Sequence, residues 1–209
     1  MRALVCAAIT VFVGAGCALS TVALSHDRPW RLSRPYAAAL IGMSVLVIAA
    51  TSVRFATRPW LCPAYLVLAA VSVPLSTVDI AEHRLPDRIL KPALAGVAVL
   101  LAFAAAHSGM ADAYVRAVLA ALLLYAGAVA LALLTSGGLG WGDTKLLALS
   151  GLCLGYLGWG RVLFGMCLAF AAASVAAAVP MTMGRRAPRS RIAIGPFLLG
   201  ATLIGALAW

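Results

Sequence analysis

Long apolar runs, broken by short polar segments, organise the whole chain. The runs cover roughly residues 3–24, 36–53, 60–78, 90–106, 113–134, 145–158, 162–180 and 192–209. Between them lie HDRPWRLSRP, RFATRP, DIAEHRLPDRILKP, HSGMAD, TSGGLGWGDTK, GWGR and MGRRAPRSR. Proline and glycine mark most of these breaks, as turns require. A membrane-spanning helix needs about 20 apolar residues. The pattern therefore predicts an all-α polytopic membrane protein with about eight transmembrane helices. The sixth run, 145–158, is the shortest. The first is read as a spanning helix rather than a cleaved secretory signal, because it is long and further spans follow. With no internal repeat and no room for a separate soluble unit, residues 1–209 read as one integral membrane domain.

Composition agrees. The chain is 64% hydrophobic, with mean hydropathy +1.05. Sixteen Lys and Arg face six Asp and Glu, for a net charge of +10. In a soluble protein such an excess suggests nucleic acid; here it reads as loop anchors beside anionic lipid. Eleven of the sixteen basic residues fall in the first, third, fifth and seventh breaks. Those loops are therefore expected on the cytoplasmic side, with both termini facing outward. Cys6, Cys17, Cys62, Cys153 and Cys167 form no C-x-x-C pair and read as small buried hydrophobes. No Cys/His cluster suggests zinc, and neither a metal nor another cofactor is expected.

The few acids carry the chemical signal. They are Asp27, Asp79, Glu82, Asp87, Asp112 and Asp143. Asp27 and Asp112 read as solvated loop residues. Asp79 closes the run YLVLAAVSVPLSTV, at the last turn of the third helix or just past it. Asp143 opens the sixth helix inside GGLGWGDTKLLALSG. Ionisable groups at a membrane are costly and raise a functional hypothesis. Asp79 begins the third loop and Asp143 ends the fifth, so both fall on the cytoplasmic side at similar depth. Two carboxylates that meet there would share a proton. One could activate water while the other polarises a peptide carbonyl, the chemistry of an aspartic protease.

Gly140 and Gly142 flank Trp141, where they permit unusual backbone angles and close approach of another chain. An ordinary turn before a helix would look the same. Competing hydrolase motifs are missing: there is no H-E-x-x-H and no G-x-S-x-G.

The two acidic segments together resemble bacterial type IV prepilin peptidases. VDIAEHRLPD carries Asp79, five residues, then Leu85, Pro86 and Asp87, similar to the family's D-(x)5-L-P-D element. GWGDTKLL carries Gly140, Gly142, Asp143, Lys145 and Leu146, similar to G-x-G-D-x-K-L. The G-x-G-D signature is shared with the presenilin and signal-peptide-peptidase group; L-P-D points to the prepilin branch. RIAIGPFLLGA resembles a late run of the same family, and the likeness covers about residues 60–209.

The resemblance implies a GxGD aspartyl protease core over about 60–209, preceded by N-terminal helices over about 1–59. It makes Asp79 and Asp143 the catalytic pair. Pro86, Gly140 and Gly142 would shape the loops, and Leu85 belongs to the same motif. Lys145 would tune Asp143 or anchor the inner face, and Asp87 would build a turn or contact substrate. It implies cleavage of the leader of a prepilin or pseudopilin precursor after a glycine, at the cytoplasmic face of the inner membrane. Larger relatives carry a C-x-x-C segment between the first two helices; here that place holds only SHDRPWRLSRP. This implies a short form that is a peptidase without N-methylation. The partners expected are the precursor and membrane lipid, not nucleic acid. The alternative is a proton-coupled transporter using the same acids as a relay, which would place them near the bilayer midplane within paired repeats.

Overall fold

The computed structural model describes residues 34–83, 85–134, 140–182 and 193–208, which form seven helices. In chain order these are α1 (Arg34–Arg54), α2 (Cys62–Glu82), α3 (Asp87–Ser108), α4 (Ala111–Leu134), α5 (Trp141–Leu157), α6 (Trp159–Thr182) and α7 (Gly195–Leu207). No strand occurs among the described residues. The second to eighth apolar runs each become one helix, and the first lies outside the described residues. Four segments are long and apolar enough to cross a membrane: α2, α3, α4 and Trp159–Ala178 of α6. The chain is thus an all-α polytopic membrane protein. Ala38–Arg54 of α1 and α7 are shorter apolar helices.

Turn chemistry sets the breaks. Gly109 ends α3 with φ 67, and its N–H bonds the Ala105 carbonyl. A side chain is strained at that backbone angle, and glycine is not. Proline stands in the first turn of α2 and of α7, where its missing N–H costs nothing.

The centre of the bundle is α5, buried almost continuously from Leu146 to Tyr156. Small residues let α4 come against it. A Cβ added at Gly151 would lie 2.8 Å from the Ala120 carbonyl oxygen, and one at Gly155 would lie 2.6 Å from the Ala120 Cβ. These glycines are one helical turn apart and face Ala117 and Ala120 of α4, which are fully buried. Without a hydrophobic drive between helices in lipid, close backbone packing of this kind holds them together. On a neighbouring face of α5, Leu154 fills the space that Gly165 of α6 and Gly205 of α7 leave open. The Tyr65 hydroxyl of α2 donates to the Cys153 carbonyl at 2.7 Å, tying a fourth helix to α5. Thr202 of α7 and Ser150 of α5 pair their hydroxyls at 2.8 Å.

Gly151→Leu is therefore expected to destabilise the bundle by roughly 1–3 kcal/mol, since the obstructing atoms are backbone. The check is the unfolding temperature in detergent. Gly96→Ala in α3, whose added methyl would meet nothing within 4 Å, serves as the control and leaves that temperature unchanged or slightly higher.

These contacts fix an up-and-down order. At one end Asp79 meets Gly195 and Asp87 meets Lys145. At the other Arg54 reaches Leu207, and Arg116 reaches Gly155 and Tyr156. The C-terminus of α2 and the N-termini of α3, α5 and α7 thus share the first end.

Candidate active site

The apolar run of α2 continues helical through Asp79 to Glu82, with Asp79 inside its last turn. His83 then takes the left-handed conformation, φ 52, and its N–H bonds the Asp79 carbonyl at 2.9 Å. Asp79 is only 4% exposed. Its carboxylate accepts the Gly195 N–H at 2.9 Å. Gly195 is the first residue of α7, where backbone N–H groups have no partner within the helix. A carboxylate satisfies such a donor well. A Cβ at Gly195 would lie 2.5 Å from the same carboxylate oxygen, so only glycine lets the acid sit there.

At the start of α5, Gly140 is the cap, in extended conformation with φ −70 and ψ 144. Asp143, three residues on, turns back to accept the Gly140 N–H. That is the acidic half of a capping box. Neither Gly140 nor Gly142 has a positive φ, so the unusual backbone angles expected from the sequence are not needed. What Gly142 supplies is room. A Cβ there would lie 2.7 Å from the Leu85 Cβ, so the segment after α2 rests directly on the first turn of α5.

The two carboxylates lie at the same end of the bundle, on antiparallel helices. Asp143 lies close enough to feel the charge of Asp79, and the two make no direct hydrogen bond. Each is oriented instead by a glycine N–H at a helix start. Asp143 also borders an apolar cavity of about 300 Å³ between α4, α5, α6 and α7, walled by Leu123, Leu131, Leu147, Phe170 and Ile194.

The remaining motif residues tie the two segments together. Pro86 caps α3 in extended conformation and Asp87 is its first residue. Lys145 was expected beside Asp143 or at the lipid surface. It bonds Asp87 instead, at 2.6 Å, with Lys91 on the other carboxylate oxygen at 2.9 Å. Asp87 was expected to build a turn or touch substrate, and it forms this bridge between α3 and α5. Leu85 on Gly142 and Asp87 on Lys145 thus fix the segment following Asp79 against the one carrying Asp143. Lys145→Gln should lower kcat for the reaction of this site roughly threefold, as partly exposed pairs are weak. Asp87→Asn should do the same and the double variant no more, measured as a double-mutant cycle.

Gly195 carried no role in the sequence reading. The signal present was a Gly-Pro pair at a helix start, which offers a free N–H next to a proline that offers none. Among the described residues no group of three His, Cys, Asp or Glu side chains is placed to hold a metal ion.

Compared with protein families, residues 66–181, more than half of the chain, match the type IV leader peptidase family. The matched stretch contains Asp79, Asp143 and the Leu85–Asp87 segment, and it ends before Gly195. No curated protein and no solved structure matches the chain.

Proposed function

Since the chain belongs to the type IV leader peptidase family, a family of proteases, we propose that it is an aspartic endopeptidase of the membrane with Asp79 and Asp143 as its catalytic pair. The observation that carries this is their placement. Two acids 64 positions apart in a chain with six come to one end of the bundle, each held by a glycine N–H.

Two facing carboxylates that hold one proton between them have an acid and a base ready at once. The ionised member takes a proton from water as the oxygen attacks the peptide carbonyl. The protonated member donates to the carbonyl oxygen as it gains charge. On collapse of the tetrahedral intermediate the newly protonated member gives its proton to the departing amine, while the other, now ionised, takes the proton of an intermediate hydroxyl as the new carboxyl group forms. The pair then holds one proton again.

The substrate is read as the precursor of a type IV pilin or pseudopilin, cut after a glycine at the cytoplasmic face of the inner membrane. The apolar cavity beside Asp143 suits an uncharged side chain on the substrate near the cut. Loop charge supports the inner face, because the aspartates share their end of the bundle with the basic loops. In this reading eight spans cross the membrane. A proton-coupled transporter is not favoured: the family is one of peptidases, and the acids sit at helix ends rather than mid-helix.

The test is incubation of the purified chain with a precursor of this class, followed by mass mapping of the new N-terminus. A cut directly after the leader glycine supports the reading. Intact precursor, under conditions where the enzyme remains folded, overturns it.

A further inference from the structure

The opposite end of the bundle holds a second, larger cavity, of about 530 Å³. It is far from the aspartates. α5 separates Asp143 from Tyr156 by thirteen residues, or about 20 Å at 1.5 Å per residue. Its walls include Arg58, Trp60, Ser108, Arg116, Tyr156 and Arg161. Arg54 and Arg58 lie near enough to Arg161 to repel it. Arg54, Arg58, Arg116 and Arg161 are all the arginines and lysines that this end has among the described residues, with His107 beside Trp60. They come from three places in the chain, on the side that loop charge assigns to the outside, where basic residues are scarce. Asp112, one turn before Arg116 on α4, is the one acid at this end among the described residues, so positive charge is in excess there and attracts an anion.

Part of the cluster serves the fold. Arg116 donates from Nε to the Gly155 carbonyl at 2.8 Å and from Nη2 to that of Tyr156 at 2.9 Å. Arg161 reaches the Gly205 and Ala206 carbonyls, and Arg54 that of Leu207. These contacts cap the C-termini of α5 and α7. Arg58 has no such task. It is exposed on the segment between α1 and α2 and makes no side-chain hydrogen bond among the described residues. Neither Arg58 nor Arg116 is ion-paired to a carboxylate among the described residues. The capping bonds of Arg116 hold its guanidinium fixed at the wall and leave Nη1 unused.

We infer that this cavity binds the phosphate of an anionic phospholipid. Guanidinium groups match phosphate oxygens in number and geometry, and basic pockets between spanning helices take such headgroups. The surroundings favour a lipid over a free ion. Trp60, in the wall of the cavity, and Trp159, at the same end of the bundle, are about half exposed, at the level where indoles meet headgroups. Below them Val99, Phe103, Val115 and Leu119 present exposed apolar side chains on α3 and α4, a surface along which acyl chains can lie.

The test is native mass spectrometry of the purified full-length chain with equimolar dioleoyl phosphatidylglycerol and dioleoyl phosphatidylcholine. Phosphatidylglycerol should be retained at least about fivefold better, as expected for an anionic headgroup among several arginines. Arg58→Gln should reduce its retention by about fivefold, and Arg58→Lys should keep most of it. Millimolar inorganic phosphate should not displace it. Equal retention of the two lipids overturns the inference. So does undiminished binding by a folded Arg58→Gln chain. Displacement by inorganic phosphate would instead show a soluble-anion site, which also overturns it.

Discussion

Asp79→Asn and Asp143→Asn each reduce leader release by roughly 10³-fold, while the protein still inserts and unfolds at nearly the parent temperature. The size follows from the roles. General acid and general base catalysis typically contribute 10²- to 10⁴-fold, and the amide that replaces either carboxyl group can do neither. The fold should tolerate the change, because an amide oxygen still accepts the N–H that each carboxylate takes now. That donor is Gly195 for Asp79 and Gly140 for Asp143. The measurement is single-turnover cleavage by purified variants, beside their melting curves. A variant that keeps a tenth of the parent rate would remove its residue from the chemistry.

Gly195→Ala is the second large effect, expected at about 10²-fold in kcat. The added methyl would stand 2.5 Å from the Asp79 carboxylate oxygen, a distance that real contacts do not reach. The acid or the start of α7 must then move. Displacing a reacting group by about 1 Å can cost a hundredfold. Binding of substrate depends less on this atom, so KM should change little. The cavity beside Asp143 includes Ile194 and Leu198 of the same helix, so a shift of α7 as a whole would show in KM instead. The ratio of the two effects separates a displaced acid from a displaced helix. A Gly195→Ala chain with unchanged kcat would mean that the N–H donor does not hold Asp79 in its working position.

Much of the fold could be read from the chain because hydropathy reports lipid exposure directly. Each apolar run with described residues became a helix, even the short one at 145–158, which starts four residues earlier, at Trp141. That Asp79 and Asp143 lie at one end of the bundle was legible from loop parity. What the chain could not show is which groups touch. Lys145 follows Asp143 by two positions, and it was expected to tune that acid or to anchor the inner face. On a helix, residues two apart point to different sides, and Lys145 lies on Asp87. Gly142 was legible as a small residue, but its reason, the Leu85 side chain against it, is a contact across 57 positions. Gly195 was the least visible. Its part depends on a backbone N–H, which every residue but proline has, and on its lack of a side chain 116 positions from the acid it holds.

The central claim is that Asp79 and Asp143 work as one unit holding one proton. It is tested most directly by the pH dependence of kcat/KM for leader release by the purified full-length chain. At low pH both carboxyl groups are protonated and no base remains. At high pH both are ionised and no acid remains. Only the singly protonated pair is active, so a bell with unit slope on both limbs is the expected result. A profile that rises once and then stays level, with the enzyme folded throughout, would mean a single base without an acid partner and would contradict the pair.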